Sequence, residues 1–208
     1  MGIDRTPATG PFRWNAGWLE QTRHCPSPNH GPRPLGADID LIVLHSISLP
    51  PGVYGGPEIE QLFTNRLDWD AHPYFGQIRG LQVSSHFLIR RDGELVQFVD
   101  ADARAWHAGV SCWRGREQCN DDSIGIELEG LEGDRFDDRQ YDSLTTLCEA
   151  IRQRYPIRHI AGHEHIAPGR KQDPGPGFDW RALQLALAWD PMCFPAATRQ
   201  IPASHRRT

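Results

Sequence analysis

The run Leu41-Ile42-Val43-Leu44, preceded by Ile39 and Asp40, limits this fold more than any other stretch of the chain. Four consecutive apolar residues leave a strand no face for water, so residues 39–44 predict a central strand that other layers must cover on both sides. His45 is the expected end of that strand, and residues 49–57 read as a Pro/Gly loop. Residues 57–67 predict a helix with proline in its first turn and with Ile59, Leu62, Phe63 and Leu67 turned inward. Residues 83–89 and 95–99 are β-rich, and the Asp92-Gly93 pair between them is a strong hairpin signal. In Ser123-Ile124-Gly125-Ile126-Glu127-Leu128-Glu129 the alternation puts three apolar side chains on one face and Glu127 and Glu129 on the other. From Asp138 onward, Tyr141, Leu144, Cys148, Ile151 and Tyr155 recur at helical spacing until Pro156 ends the pattern. A short strand over 157–161 leads into Gly162-His163-Glu164-His165, and Asp179 caps a last helix that buries Trp180, Leu183 and Leu187. With neither an internal repeat nor a linker, this pattern predicts one α/β domain over 38–189, with a central mixed β-sheet flanked by helices. Residues 1–37, rich in Pro and Gly, read as an irregular lead-in over the surface, and 190–208 as a weakly ordered tail.

Composition excludes several classes of function. With 22 basic against 27 acidic residues the net charge is −5, which argues against a nucleic-acid partner held through its phosphates. No run approaches the roughly 18 apolar residues of a membrane span, and Met1 to Gly10 lacks the apolar core of a secretory signal, so a soluble, cytoplasmic protein is expected. The first six residues also fit a myristoylation pattern that is too short to carry weight. Five cysteines, an odd number without a C-x-x-C pair, predict reduced thiols rather than a disulfide framework or a zinc ribbon. Lys171 is the single lysine among the 22 basic residues.

The chemistry-bearing residues gather after strands. His45 and His163 each follow a predicted strand, in the position where α/β sheets tend to place ligands, and Asp173 lies ten residues beyond His163 in a Gly/Pro loop. Two imidazoles and a carboxylate, with a fourth position left for water, form an accepted catalytic zinc set. His165 is an alternative ligand, since residues two apart on an extended segment point the same way. The helical H-E-x-x-H motif is absent, because Ala167 stands four after His163. Glu127, polar between buried neighbours, is a candidate base for water, or else an exposed residue of an edge strand. Lys171 is a candidate for oxyanion stabilisation, or else a solvated surface lysine. Trp106, in Trp106-His107-Ala108-Gly109, offers an aromatic face for a sugar or peptide, or else packs in the interior.

These residues fall within longer runs: Leu44-His45-Ser46-Ile47-Ser48-Leu49-Pro50-Pro51-Gly52; His86 with Leu88-Ile89-Arg90-Arg91-Asp92-Gly93; Arg104-Ala105-Trp106-His107-Ala108-Gly109-Val110-Ser111; Cys119-Asn120-Asp121; Ser123 through Gly130; and Ile166-Ala167-Pro168 with Arg170-Lys171 and Asp173-Pro174-Gly175. In this order, from about Gly17 to Trp180, the chain resembles the type-2 amidases and peptidoglycan recognition proteins. Within them it is most similar to the cytoplasmic 1,6-anhydro-N-acetylmuramyl-L-alanine amidases of peptidoglycan recycling in Gram-negative bacteria. The resemblance implies that family's fold and a zinc-dependent hydrolysis of the bond between the lactyl group of anhydromuramic acid and L-Ala. Carried over by position, it implies His45, His163 and Asp173 as zinc ligands, Glu127 as the catalytic carboxylate and Lys171 as the transition-state lysine. Ser46, Tyr74, Trp106 and His107 are the expected substrate-binding residues. The family pattern has Asn where this chain has Ser46, Arg where it has Gln82 and Gln118, and Gly-His-Cys-Asp where it has Gly162-His163-Glu164-His165. Two Arg-to-Gln exchanges remove bidentate carboxylate recognition from the region where an acidic stem peptide would lie. The expected partner is an anhydromuropeptide bound by a monomer, with neither nucleic acid nor membrane. A muropeptide sensor without turnover and an exported cell-wall amidase are the alternatives.

Overall fold

The computed structural model describes residues 12–198. The expectations for Met1 to Gly10 and for the chain beyond Thr198 lie outside these residues. The main sheet has six strands: β1 (Arg23–His24), β2 (Leu41–Ile47), β3 (Phe87–Ile89), β4 (Leu95–Gln97), β5 (Ser123–Glu129) and β6 (His159–Gly162). Their order is β6-β2-β5-β3-β4-β1, with β6, β2, β5 and β3 mutually parallel and β4 antiparallel to β3. The sheet is therefore mixed, as expected, and β2 lies between two parallel neighbours.

Alternation along these strands sorts the side chains into two layers. One face carries Ile42, Leu44, Ile124, Ile126, Leu128 and Ile160, packed against Leu144, Leu147, Cys148 and Ile151 of α3 (Asp138–Arg154). Helix α3 starts where Asp137 and Gln140 form a reciprocal capping box, which satisfies amides the first turn leaves unpaired. The opposite face is split. Leu88, Val96 and Phe98 pack with Ile59, Leu62 and Phe63 of α1 (Glu58–Phe63) and with Phe75 of α2 (Pro73–Gln77). Leu41, Val43 and Ala161 form a second cluster with Ala108, Cys119 and Ile166, the last from α4 (His163–Ile166). The column of β5 residues on that face, Ser123, Gly125, Glu127 and Glu129, runs between the two apolar clusters, so a seam of buried polar residues separates them.

Three differences from the sequence reading have clear causes. β2 continues past His45 to Ile47, because pairing with β5 persists to the Glu129–Ile47 pair. Helix α1 ends at Phe63, short of Leu67, because Asn65 adopts the left-handed conformation at φ 57°; Leu67 is nevertheless buried. The lead-in is more than surface loop: Arg23–His24 adds the edge strand β1, Trp14–Asn15 pairs with Trp18–Leu19, and Leu19 is fully buried in the core. At the other end, α5 (Trp180–Leu187) is capped by Asp179 as expected, and Phe194 beyond it is also fully buried. The hairpin forms through Arg91-Asp92-Gly93-Glu94, with Gly93 at φ +85°. No described helix is long and apolar enough to cross a membrane, and all five cysteines are free.

Candidate active site

Strand register assembles the site. Glu127 on β5 lies directly beside His45 on β2, since parallel strands in register bring equivalent residues to about 4.8 Å. On the other side of β2, Gly162 pairs with Leu44, so His163, the next residue, arrives level with His45 at the start of α4. Asp173 returns from the following loop, where its carbonyl accepts the Glu164 amide at 2.9 Å and Pro174 packs over Gly162. A Cβ on Gly162 would stand 2.7 Å from Pro174 Cδ, so that return requires glycine.

The three residues present one ligand atom each. His45 Nδ1 lies 2.9 Å from His163 Nδ1 and 3.0 Å from Asp173 Oδ2, and His163 Nδ1 lies 3.1 Å from the same oxygen. All three side chains are buried. His163 Nε2 donates to the Ala108 carbonyl at 3.0 Å, which leaves His163 Nδ1 as a bare lone pair. Bonds of 2.0–2.1 Å to a tetrahedral zinc imply ligand–ligand separations of roughly 3.3 Å, close to the spacing found here. Lone pairs and an anionic oxygen converging at this distance, away from water, call for a cation between them, and two nitrogens with one carboxylate oxygen suit zinc.

Burial and neighbouring charge shift the groups around this set in opposite directions. Burial pushes His45 down to about 4, against the pull of Asp173, so it is a neutral imidazole suited to ligation. Glu127 is driven the other way: burial and then the negative charge of Asp173 raise it well above the ordinary carboxylate range, while Lys171 acts to lower it. Glu127 makes no hydrogen bond to another described side chain, so its carboxyl is free to exchange a proton with an incoming molecule. Lys171 is exposed, and its ammonium has no carboxylate partner among the described residues. A carboxyl raised above its ordinary range beside a dry ligand set and a cation without a carboxylate partner among the described residues is the equipment of metal-assisted hydrolysis.

Comparison with known proteins agrees with a hydrolytic role. Residues 35–176 match the family described as N-acetylmuramoyl-L-alanine amidase. The chain belongs to this amidase family. The 1,6-anhydro-N-acetylmuramyl-L-alanine amidase AmpD of Enterobacter cloacae is 55% identical over 173 residues, covering 82% of this chain and 92% of its own. A crystal structure of a selenomethionine AmpD derivative superposes with a TM-score of 0.81 at 52% identity, over 83% of this chain and 98% of the other. The Escherichia coli amidase AmiD, solved with anhydro-N-acetylmuramic acid-L-Ala-D-gamma-Glu-L-Lys, matches at a TM-score of 0.53 and 29% identity, over 84% of this chain and 65% of its own.

In this amidase the remaining residues singled out from sequence fall in different places. Glu127 is not on an edge strand: β5 is central and every one of its residues is buried. His165 turns away from the ligand set, accepting the Gly162 amide on Nδ1 at 2.9 Å and packing edge-on against Trp180. Trp106 is half-buried, with its amide bonded to Ser84 Oγ, and Tyr74 is half-buried at the start of α2 against the α1 cluster. Ser46 follows His45 on β2, and strand alternation turns it toward the opposite face of the sheet.

His107, expected among the substrate-binding residues, is instead an interior residue of the amidase. Its ring nitrogens contact His45 Nε2 at 2.9 Å and Ser123 Oγ at 3.1 Å, which leaves no polar ring atom for a substrate. Sequence reasoning gave no role to Asn120 or Ser123. Asn120 Oδ1 accepts the amides of both His107 and Ala108, at 3.1 and 2.7 Å. The available signal was Gly125, a missing side chain on the polar face of a strand: a Cβ there would stand 2.6 Å from His107 Cγ.

Proposed function

We propose that this chain is a zinc-dependent amidase that hydrolyses the bond between the lactyl group of 1,6-anhydro-N-acetylmuramic acid and L-Ala in soluble muropeptides, acting as a cytoplasmic monomer. The observation that carries this reading is the convergence of His45 Nδ1, His163 Nδ1 and Asp173 Oδ2 within 3.1 Å of one another, with Glu127 on the adjacent strand. The names of the AmpD relatives supply the substrate class. His45, His163 and Asp173 would hold the zinc, which supplies Lewis-acid charge to polarise the scissile carbonyl and to make water a better nucleophile.

Glu127 accepts a proton from the attacking water as the new C–O bond forms. It returns that proton to the amide nitrogen as the C–N bond breaks, so it ends each cycle in the protonation state in which it began. Its raised affinity for protons matches the task, since a carboxylate of ordinary strength is a poor base toward water at neutral pH. Lys171 brings a positive charge to the rim, where the carbonyl oxygen becomes negative. The buried ligand set and the apolar clusters on either side exclude bulk water, which strengthens each of these interactions.

The test is mass spectrometry of a defined N-acetyl-1,6-anhydromuramyl tripeptide incubated with the full chain, with and without a chelator. Release of free tripeptide that stops on chelation and returns with zinc is expected. Turnover that is indifferent to chelation, or binding without any product, would overturn the proposal. Intact sacculi assayed in parallel separate a recycling enzyme from an exported one.

A further inference from the structure

We infer that His107 is a positioning residue that sets the ring tautomer of His45, and so decides which of its nitrogens is free to bind metal; this rests on the zinc reading above. The chain of hydrogen bonds that imposes the tautomer begins at a backbone carbonyl. Ser123 Oγ makes a very short contact with the Cys119 carbonyl, which can only accept, so the single hydroxyl proton of Ser123 is committed there. Ser123 Oγ is then an acceptor toward His107 Nε2, 3.1 Å away, and the His107 proton must sit on Nε2. A neutral imidazole protonated on Nε2 has a lone pair on Nδ1. That lone pair faces His45 Nε2 at 2.9 Å, so His45 carries its proton on Nε2 and leaves Nδ1 bare, turned toward His163 and Asp173. Every link lies in the interior, where reversing the relay would leave the Ser123 hydroxyl oxygen and the Cys119 carbonyl as two acceptors facing each other without a proton between them.

The neighbouring residue completes the device. Ala108 offers its carbonyl to His163 Nε2, so two consecutive residues orient both imidazole ligands, and the Asn120 side chain grips the two amides between them. His107 has its room because Gly125 lacks a side chain beneath it. Cys119, Asn120 and Ser123 thus lie within five residues of one another at the start of β5 and act on ligands far away in sequence.

The test compares three forms of the full chain. His107→Phe keeps an aromatic ring but removes both nitrogens. His107→Gln offers an oxygen to His45 and an amide group to Ser123, which reproduces the polarity of the relay. Zinc affinity is measured by competition with a chromophoric chelator, and circular dichroism checks the fold of each metal-free protein. Outer hydrogen-bond partners of metal ligands typically contribute 10–100-fold in affinity, so His107→Phe is expected to weaken zinc binding by about that factor while His107→Gln restores most of it. Equal affinity in His107→Phe and the parent, or equal loss in both variants with the fold intact, would overturn the inference. Long-range nitrogen–proton NMR of the metal-free parent reads the His45 tautomer directly and does not depend on either variant folding: a proton on Nε2 is expected, and one on Nδ1 refutes the relay. A parent that shows the Nε2 tautomer but binds no zinc would count against the proposed function and leave the relay standing.

Discussion

Gly125→Ala changes one hydrogen to a methyl group, yet the structure makes it disruptive to the site, because the added carbon would collide with the His107 ring. The new Cβ would lie 2.6, 2.7 and 2.8 Å from His107 Cγ, Nδ1 and Cδ2. Carbon atoms in comfortable contact sit about 3.5–4.0 Å apart, so the ring must retreat by about 1 Å. The sheet cannot yield instead, because β5 is paired on both sides. A retreat of that size is enough to break the 2.9 Å bond to His45 and the 3.1 Å bond to Ser123. Overpacking of this kind costs about 1–3 kcal/mol, which for a chain of this length lowers Tm by roughly 2–12 °C. A displacement of about 1 Å at a catalytic group can cost about 100-fold in turnover, so activity should fall further than stability. Thermal unfolding and the tripeptide-release assay measure the two effects. Gly76→Ala is the internal control: it lies in α2 with nothing within 4 Å of the added Cβ, and is expected to be neutral or slightly stabilising. The cause is isolated by repeating Gly125→Ala in a His107→Ala background, where the ring is gone and the stability cost should vanish. A cost that persists there, or a Gly125→Ala variant with the parent's Tm and turnover, would refute the steric reasoning.

Three further outcomes follow from the same geometry. Glu127→Gln is expected to lower turnover by about 10²–10⁴-fold while stabilising the metal-free protein. A carboxyl whose folded pKa is raised contributes stability that is present at acid pH and lost as pH climbs above its unfolded value of about 4.3. The advantage of the glutamine variant should therefore be small near pH 4 and grow toward neutrality, and urea unfolding that gives a constant difference from pH 4 to 8 would contradict the assignment. Lys171→Arg is expected to leave stability within about 0.5 kcal/mol, since the side chain is exposed, yet to reduce turnover about tenfold or more, because a broad guanidinium replaces a compact ammonium; an unchanged kcat would make Lys171 an ordinary surface residue. Glu129→Gln should destabilise by about 3–5 kcal/mol in urea titrations, since buried Glu129 pairs with Arg90 at 2.9 Å and accepts the Gly55 amide at 2.7 Å. Its zinc affinity should stay that of the parent, because this network lies outside the ligand set.

Much of this protein is legible in its local pattern. Apolar runs and helical spacing locate β2, β5, the Asp92-Gly93 hairpin and α3, because periodicity and turn chemistry depend on residues only a few places apart. Residue type identifies an imidazole–imidazole–carboxylate set with a nearby carboxylate and lysine, and family resemblance gives those residues roles. What local pattern does not reach is which strands lie side by side. Glu127 reads equally well as an exposed edge residue or a buried acid until β5 is seen between β2 and β3. The lead-in reads as loop until Arg23–His24 pairs with β4. His107 reads as a substrate-facing residue until its ring is found over Gly125 with both nitrogens satisfied. Each of these depends on contacts between residues tens of positions apart, and His45 meets His163 and Asp173 across 118 and 128 residues. Local order along the chain thus dictates which elements form and which chemical groups they carry. Long-range pairing alone selects which of those groups lose their water, and desolvation is what turns a surface carboxylate into a base and a pair of imidazoles into a metal site.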